Sequence, residues 1–317
     1  MTGIEDTKDN RKPKAIVIAG PTASGKTAFA VELALSLSGE IVNADSMQVY
    51  RGMDVGTAKP TSEEKKGIPH HLMDIVDPDE EFNAAIYRAT ALASVMDICS
   101  RGKICLVVGG TGLYIRALLG GLMKSPQSEP GLREWLRSEC EIHGAAALYK
   151  RLSHQDPEHA RNIHPNDKVR VMRALEIIYQ TRQRSSDLMK EHRFRDRPLN
   201  SLKLFLKAER EQLYHRINER SAAMVQMGLV EETQALIKKG YSPNLKPMKA
   251  IGYRHAVRYL EGIWTLEYMK DKLKRDTRRY AKRQMTWFRA DPEAIWIDRD
   301  DFGPALKKIK TFLSETT

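Results

Sequence analysis

Residues 20–27 read GPTASGKT, and this stretch decides the fold class of the chain. It matches in full the pattern G-x-x-x-x-G-K-[S/T] of a phosphate-binding loop. The apolar run KAIVIA (residues 14–19) precedes the loop and predicts a buried strand, and Phe29, Leu33 and Leu37 follow it at helical spacing. Strand, glycine-rich loop and helix in this order are the context that the motif requires.

The loop predicts a diphosphate-binding site. Its glycines let backbone N–H groups point at phosphate oxygens, and the start of the following helix adds a partial positive charge. The ammonium group of Lys26 would neutralise phosphate charge, and the Thr27 hydroxyl is suited to hold Mg²⁺, the cofactor that we expect. The predicted diphosphate-binding residues of the loop are Gly20, Pro21, Thr22, Ala23, Ser24, Gly25, Lys26 and Thr27.

Further apolar runs extend the predicted sheet. EIVNA (residues 40–44) and ICLVV (104–108) are typical of buried strands, and residues 84–100 between them have a helical pattern. Continuous apolar runs separated by helices favour a parallel sheet that is covered on both faces. We therefore predict the α/β fold class: a P-loop NTPase-like core whose parallel sheet has helices on both faces, plus a small helical insertion domain.

The predicted insertion begins at a Pro/Ser-rich linker, MKSPQSEPG (residues 123–131). Helical patterns follow over 132–152 and after a cap at 166–167, and the run SLKLFLKA (201–208) then returns to the sheet. We place the insertion domain at 126–204 and the core at 1–125 and 205–317.

Two long helical stretches are predicted late in the chain, at 209–239, which ends at Gly240, and at 265–289. On the second stretch, helical spacing gives one packing face, formed by Leu273, Thr277, Tyr280, Gln284 and Trp287. The same spacing gives one basic face, formed by Arg275, Arg279, Lys282, Thr286 and Arg289.

The formal net charge is +11, and most of the excess lies late in the chain. Residues 246–289 hold 13 basic and 4 acidic residues, a net charge of +9 that would attract a polyanion. A solvated helix face on a basic protein is the alternative interpretation. No apolar run approaches the roughly 18 residues of a membrane span, and the first dozen residues are charged, so we expect a cytoplasmic protein without a membrane partner.

A phosphate loop does not define a reaction, although an ATPase or kinase would be the default expectation. The strand at 104–108 ends in Gly109, Gly110 and Thr111 and lacks the carboxylate with which nucleotide hydrolases position their metal. Asp45 instead follows the strand at 40–44, and ligands of open parallel sheets bind at the carboxyl ends of strands. We predict that Asp45 faces the phosphate loop; the alternative is that it caps the next turn.

The remaining motifs give the chain a family resemblance. They are DSMQVYRGMDVGTAKP (45–60), VGGTGLY (108–114), HPNDKVRVMRALE (164–176), IGYR (251–254) and AKRQMTWFR (281–289). With the phosphate loop, they make the chain resemble the tRNA dimethylallyltransferases. The resemblance implies transfer of a dimethylallyl group from dimethylallyl diphosphate to N6 of the adenosine immediately 3′ of the anticodon.

The resemblance also implies roles for residues. Asp45 would be the general base, and Arg220 would join the loop in binding the allylic diphosphate, which makes Asp45, Lys26, Thr27 and Arg220 the expected catalytic set. His70 matches a histidine near the site; its alternative is a loop histidine that makes a local hydrogen bond. The residues expected to contact tRNA are Asp45, Ser46, Met47, Gln48, Thr111, Arg133, Val169, Arg170, Arg173, Lys249, Gly252, Tyr253, Arg254, Lys282, Arg283, Gln284, Thr286, Trp287 and Arg289.

The expected partners are the anticodon stem-loop of tRNA and dimethylallyl diphosphate, and we expect a monomer. Three other functions compete with this interpretation. An isopentenyltransferase acting on a free adenine nucleotide would share the core but would not need the basic, aromatic-interleaved segments at 251–254 and 281–289. A nucleotide kinase would need a set of lid arginines, and an RNA-binding module without catalysis would leave the phosphate loop and Asp45 unexplained.

Overall fold

The computed structural model describes residues 12–123, 126–192 and 195–315. The amino-terminal charged stretch and part of the predicted linker therefore lie outside the described residues. Six strands form one parallel sheet in the order β3-β2-β4-β1-β5-β6. The strands are β1 (Lys14–Ala19), β2 (Gly39–Asn43), β3 (His70–His71), β4 (Ile104–Gly109), β5 (Asn200–Leu206) and β6 (Ile295–Ile297).

Helices connect the strands and carry the later part of the chain. Those before β5 are α1 (Lys26–Leu37), α2 (Ser62–Lys65), α3 (Ala84–Ser100), α4 (Gly112–Gly120), α5 (Pro130–Gln155), α6 (Pro157–Arg161), α7 (Lys168–Thr181) and α8 (Ser185–His192). Those after β5 are α9 (Arg210–Gln226), α10 (Leu229–Lys238), α11 (Tyr253–Leu260), α12 (Leu266–Arg289) and α13 (Phe302–Ser314). Within the described ranges, no helix combines the length and the apolar character that crossing a membrane requires.

The sheet confirms the predicted α/β fold class. Strand β1 lies between β4 and β5, so both of its edges are hydrogen-bonded, and its two faces pack into different core clusters. Ala15 and Val17 face one core cluster, while Ile16 and Ile18 face the other. This double burial explains why KAIVIA is continuously apolar.

Two helix predictions are corrected by glycine conformations. The stretch 209–239 is two helices, because Gly228 has φ 100° and separates α9 from α10. Helix α5 contains the non-helical Gly144 (φ 80°), which kinks it. Such φ values are readily available only to glycine, so each break is encoded at one residue inside an otherwise helical pattern.

The chain divides into two compact units, one formed by residues 1–119 and 197–317 and the other by residues 120–196. The predicted boundary at 204 lies too late, because it would cut β5, which pairs with β1 along its whole length. Within the second unit, Asp167 caps α7 by accepting a hydrogen bond from the backbone N–H of Arg170. This confirms the predicted cap.

A buried carboxylate anchors the edge of the sheet. Glu40 on β2 accepts hydrogen bonds from two nitrogens of Arg101, and its Oε2 lies 2.7 Å from Nε2 of His71. Hydrogen bonding to Arg101 is the main cause that lowers the pKa of Glu40 to about 2. The ion pair therefore ties β2 and β3 to the end of α3.

We predict that Arg101→Met destabilises the protein near neutral pH, because Glu40 keeps its charge and loses its main partner. Since the pKa of Glu40 is lowered, its contribution to the free energy of unfolding is complete above about pH 4.5 and is lost as the pH falls toward 2. Urea unfolding should therefore show that the difference in unfolding free energy between parent and variant narrows as the pH falls through this range. Lys103→Met, at an exposed position of the same turn, is the control; a gap independent of pH would contradict the prediction.

Candidate active site

A pocket that is partly open to solvent lies at the carboxyl ends of β1, β2 and β4. Most of its lining is polar and includes Thr22, Lys26, Thr27, Asn43, Asp45, Gln48, Thr57, His70, Arg220, Tyr280 and Gln284. A smaller apolar part is formed by Ile41, Ala58, Met73 and Val108. The pocket thus brings together all four residues of the expected catalytic set.

The phosphate loop leaves the start of α1 available to an anion. Gly25 precedes the helix with φ 86° and supplies no capping side chain, and the first turn of α1 contains no acidic residue. The first N–H groups and the positive end of the helix dipole are therefore not neutralised by the protein. Ala23 also has a positive φ, 63°, and packs against Leu213 and Ile217.

Two cations and one carboxylate set the charge of the pocket. Burial is the main cause that lowers the pKa of Lys26 to about 8; the Asp45 carboxylate opposes this shift and Arg220 adds to it. Burial also lowers the pKa of Arg220, again against the effect of Asp45. The site therefore holds more positive than negative charge in a poorly solvated environment, where an anionic ligand would be attracted strongly.

Asp45 is held by a turn at the end of β2. Its backbone N–H donates to Oδ1 of Asn43, and Asn43 in turn donates to the carbonyl oxygen of Leu72. Oδ1 of Asp45 accepts a hydrogen bond from the backbone N–H of Met47 at 2.9 Å. The turn-capping interpretation is thus confirmed for Oδ1. Among the described residues Oδ2 makes no hydrogen bond, and a role as base stays a prediction.

The glycines after β4 permit three close approaches. A Cβ atom at Gly109 would lie 2.2 Å from the carbonyl oxygen of Ala44, one at Gly110 would lie 2.4 Å from Nε2 of Gln284, and one at Gly112 would lie 2.1 Å from the ring of Trp287. Thr111 between them accepts a hydrogen bond from the backbone N–H of Ser46. The VGGTG sequence therefore joins the ends of β2 and β4 to α12.

His70 lines the pocket from β3. Nδ1 lies 2.8 Å from the carbonyl oxygen of Ile68, so the local hydrogen bond expected as the alternative is present. Nε2 is buried and makes no hydrogen bond within the described part of the chain. Burial is the main cause that lowers the pKa of His70 and favours the neutral imidazole. A functional role for His70 stays a prediction.

The predicted RNA contacts of the first unit differ in their exposure: some are exposed, some half-buried and some buried. Six side chains or backbone positions are exposed and can be reached by a macromolecule: Lys249, Arg254, Lys282, Arg283, Thr286 and Arg289. Tyr253 and Gln284, by contrast, are 0% and 6% exposed. Met47, Gln48 and Trp287 are half-buried, and the guanidinium of Arg116 lies 4.4 Å over the ring of Trp287.

The side chain of Tyr253, which was predicted to contact RNA, is fully buried in this structure, and the contact stays a prediction. Its ring belongs to the main core cluster and packs so closely on Gly56 that a Cβ atom there would lie 2.5 Å away. Its hydroxyl donates to Oε1 of Glu232. Glu232 also accepts the backbone N–H groups of residues 54–56, so Tyr253 helps to fix this loop. Gly252, with φ 98°, makes the turn before α11.

In the second unit, Arg133 and Arg173 converge on the buried carboxylate of Glu176, with nitrogen–oxygen distances of 3.4 and 3.1 Å. Val169 is 65% exposed, and Arg170 is exposed beside it. An exposed apolar side chain next to arginines is compatible with the predicted RNA contact, which stays a prediction.

Tyr280, Asn43 and Met73 line the pocket but were not among the predicted site residues. Tyr280 is one helical turn from Gln284, and burial, followed by the charge of Asp45, raises the pKa of its hydroxyl. Its spacing from Gln284 was a usable signal, because i and i+4 share a face. Nothing in the local pattern distinguishes Met73 as a pocket residue.

Comparison with known proteins gives consistent matches. The family model described as IPP transferase matches residues 48–291. A tRNA dimethylallyltransferase of Geobacter sulfurreducens is 52% identical over 287 residues, 90% of this chain and 92% of the relative. The tRNA dimethylallyltransferase 1 of Citrifermentans bemidjiense is 50% identical over 305 residues, 96% of this chain and 98% of the relative.

Solved structures are similar over almost the whole chain. The full-length tRNA isopentenylpyrophosphate transferase of Bacillus halodurans is 42% identical, with a TM-score of 0.70 and 96% of each chain covered. A eukaryotic dimethylallyltransferase solved in the course of acting on tRNA is 31% identical, with a TM-score of 0.80, 95% of this chain covered and 79% of that one.

We predict that Lys26→Met weakens the binding of inorganic diphosphate roughly 10- to 100-fold at pH 7, since a hydrogen bond to a charged group is removed. Because the pKa of Lys26 is lowered to about 8, the advantage of the parent should be complete well below pH 8 and should shrink as the pH rises above it. Calorimetric titrations of both proteins from pH 6.5 to 9.5 test this. The ligand titrates identically in both series, so a constant ratio of Kd values would contradict the prediction.

Proposed function

Because this chain belongs to the IPP transferase family, we propose that it transfers a dimethylallyl group from dimethylallyl diphosphate to N6 of the adenosine immediately 3′ of the anticodon in tRNA. The observation that carries the proposal is the presence of Asp45, Lys26 and Arg220 in one pocket with an apolar part. A carboxylate, two cations and an apolar surface are the groups that an acceptor amine, a diphosphate and a prenyl chain respectively need.

The donor half of the reaction breaks a bond between carbon and oxygen. As the allylic C–O bond breaks, negative charge grows on the diphosphate, and Lys26, Arg220 and the N–H groups at the start of α1 would stabilise it more in the transition state than in the ground state. The hydrocarbon makes no hydrogen bonds, so the apolar lining from Ile41, Met73 and Val108 is sufficient for it.

The acceptor half forms a bond from N6 to the allylic carbon. N6 of adenine is a poor nucleophile, because its lone pair is delocalised into the ring. A carboxylate that takes the N6 proton would accelerate transfer by roughly 10²–10⁴-fold. Oδ2 of Asp45 is available for this while Oδ1 stays on the turn.

Mg²⁺ is the cofactor of the proposal. The described residues contain no group of three or more His, Cys, Asp or Glu side chains that could hold a metal by themselves. This fits Mg²⁺, which keeps several waters and is commonly held by few protein ligands together with substrate phosphates. Thr27 in the pocket would be its protein ligand, and the ion would neutralise diphosphate charge.

The acceptor must leave the anticodon-loop stack to reach the pocket. Extruding a base costs a few kcal/mol, which contacts elsewhere on the RNA have to offset. The exposed cations of α12 and the net charge of +9 over 246–289 support such contacts. A free adenine nucleotide as acceptor, the alternative, would not need this surface. A monomer in the cytoplasm, where tRNA is found, remains part of the proposal.

The decisive experiment is incubation with tRNA, labelled dimethylallyl diphosphate and Mg²⁺, followed by nucleoside analysis. The proposal expects label in N6-dimethylallyladenosine at the position immediately 3′ of the anticodon. Label on added AMP or adenosine in preference to tRNA would favour the free-nucleotide alternative. ATP turnover without tRNA as the main activity would overturn the diphosphate-donor assignment.

We predict that Asp45→Asn lowers the single-turnover rate by roughly 10²–10⁴-fold at saturating tRNA and donor, because the amide cannot accept a proton at neutral pH. The amide oxygen can still cap the turn at Met47, so tRNA affinity should change little. Rapid-quench transfer and filter binding measure the two quantities separately. If transfer stays within a few-fold of the parent, Asp45 is a structural cap and another group is the base.

We predict that replacing Lys282 and Arg289 together by alanine weakens tRNA binding and flattens its salt dependence. Each lost phosphate contact should reduce the slope of log Kd against log[salt] by roughly one unit. The matched control is the pair Lys307→Ala and Lys310→Ala, exposed lysines of α13. An unchanged slope in the first pair, or an equal change in both pairs, would show that α12 does not contact the RNA backbone.

A further inference from the structure

We propose that Gln284 is a positioning residue that couples RNA binding on α12 to diphosphate binding at the phosphate loop. This inference rests on the proposed function and deepens it, because it links the two substrate sites energetically. It stands on one side chain that makes hydrogen bonds to both walls of the pocket.

The amide of Gln284 bridges two segments that are far apart in sequence. Its Oε1 accepts the backbone N–H of Thr22, inside the phosphate loop, at 2.9 Å. Its Nε2 donates to the carbonyl oxygen of Gly110, after β4, also at 2.9 Å. One N–H of the diphosphate-binding loop is therefore held by a residue of α12.

The bridge has one possible orientation and little space. Thr22 offers a donor and Gly110 an acceptor, so rotating the amide by 180° would set like groups against each other at both ends. Gln284 is 6% exposed, and its Nε2 occupies the space where any side chain at position 110 would lie. A buried amide with both ends satisfied is a rigid connection, since breaking either hydrogen bond leaves an unpaired polar group.

The same helical turns carry the predicted RNA contacts. Lys282, Arg283 and Thr286 are exposed within two residues of Gln284 on α12, while Gln284 itself points into the pocket. Helix α12 also packs on α9, which supplies Arg220 to the pocket. RNA bound to the outer face of α12 can therefore act on two diphosphate-binding elements. It can act on the phosphate loop through Gln284, and on Arg220 through α9.

RNA binding would restrict the movement of α12 and, through Gln284, the backbone at Thr22. A loop that is already ordered loses less conformational entropy when it binds diphosphate, so affinity for diphosphate should rise when RNA is bound. Coupling of this kind typically changes affinity by a factor of roughly 5–150, and it must be reciprocal between the two ligands.

The test measures Kd for inorganic diphosphate with Mg²⁺, by calorimetry, with and without a saturating anticodon stem-loop RNA. The parent should bind diphosphate at least about 5-fold more tightly with RNA, and RNA should bind more tightly by the same factor with diphosphate. In Gln284→Met, which keeps the length and the burial but makes neither hydrogen bond, the factor should fall to near 1. Gln234→Met, at an exposed position of α10, should keep the parent factor.

Two outcomes overturn the inference: a parent factor near 1, or a Gln284→Met variant that keeps the parent factor. A residue that only braced the fold would weaken diphosphate binding equally with and without RNA, which leaves the factor unchanged and counts as the second outcome. Thermal unfolding of both variants establishes that they are folded. The prenyl-transfer assay on the parent separates this test from that of the proposed function, which fails if no label enters tRNA, whatever the coupling.

Discussion

The site depends on how closely two chain segments, the end of β2 and helix α12, approach the end of β4. Residues 109, 110 and 112 have no side chains, and at each of them a Cβ atom would lie 2.1–2.4 Å from another residue. Contacts that short do not occur between real atoms, so a side chain at 109 would move the backbone at the end of β2, and one at 110 or 112 would displace the side chain of Gln284 or Trp287. The turn that carries Asp45 and the helix that carries Tyr280 and Gln284 both pack against these three glycines. The distances across the pocket therefore depend on the absence of side chains at residues 109, 110 and 112.

Burial makes this geometry effective. The ammonium group of Lys26 and the guanidinium of Arg220 lose much of their hydration, and the single carboxylate of Asp45 compensates only one of them. Without a ligand, the pocket therefore has an excess of positive charge, which a bound diphosphate would compensate. A protein that bound nucleotides for hydrolysis would have a carboxylate after β4 for its metal; here Gly110 and Thr111 follow β4, and the side chain of Gln284 fills the space beside Gly110.

What the sequence could predict was local. Strand β1, the phosphate loop and α3 follow from short patterns in which period, glycine placement and apolar runs agree. The break at Gly228 was missed because one glycine is tolerated inside a helical pattern unless its φ is known. The burial of Tyr253 was not predicted, because a motif gives a residue's position but not its burial, which here is fixed by Glu232 and Gly56 from distant segments. Met73 enters the pocket only through the topology of the sheet.

The shape of the pocket is maintained partly by residues that lie outside it, as the loop at 54–56 shows. Three consecutive backbone N–H groups and the Tyr253 hydroxyl all end on the one carboxylate of Glu232, in α10. Thr57 and Ala58, the next residues, form part of the pocket wall and accept hydrogen bonds from Gln48. Helix α10 supplies no side chain to the pocket lining, yet Glu232 on it supports that wall, so a substitution on this remote helix can change the shape of the pocket without touching a ligand.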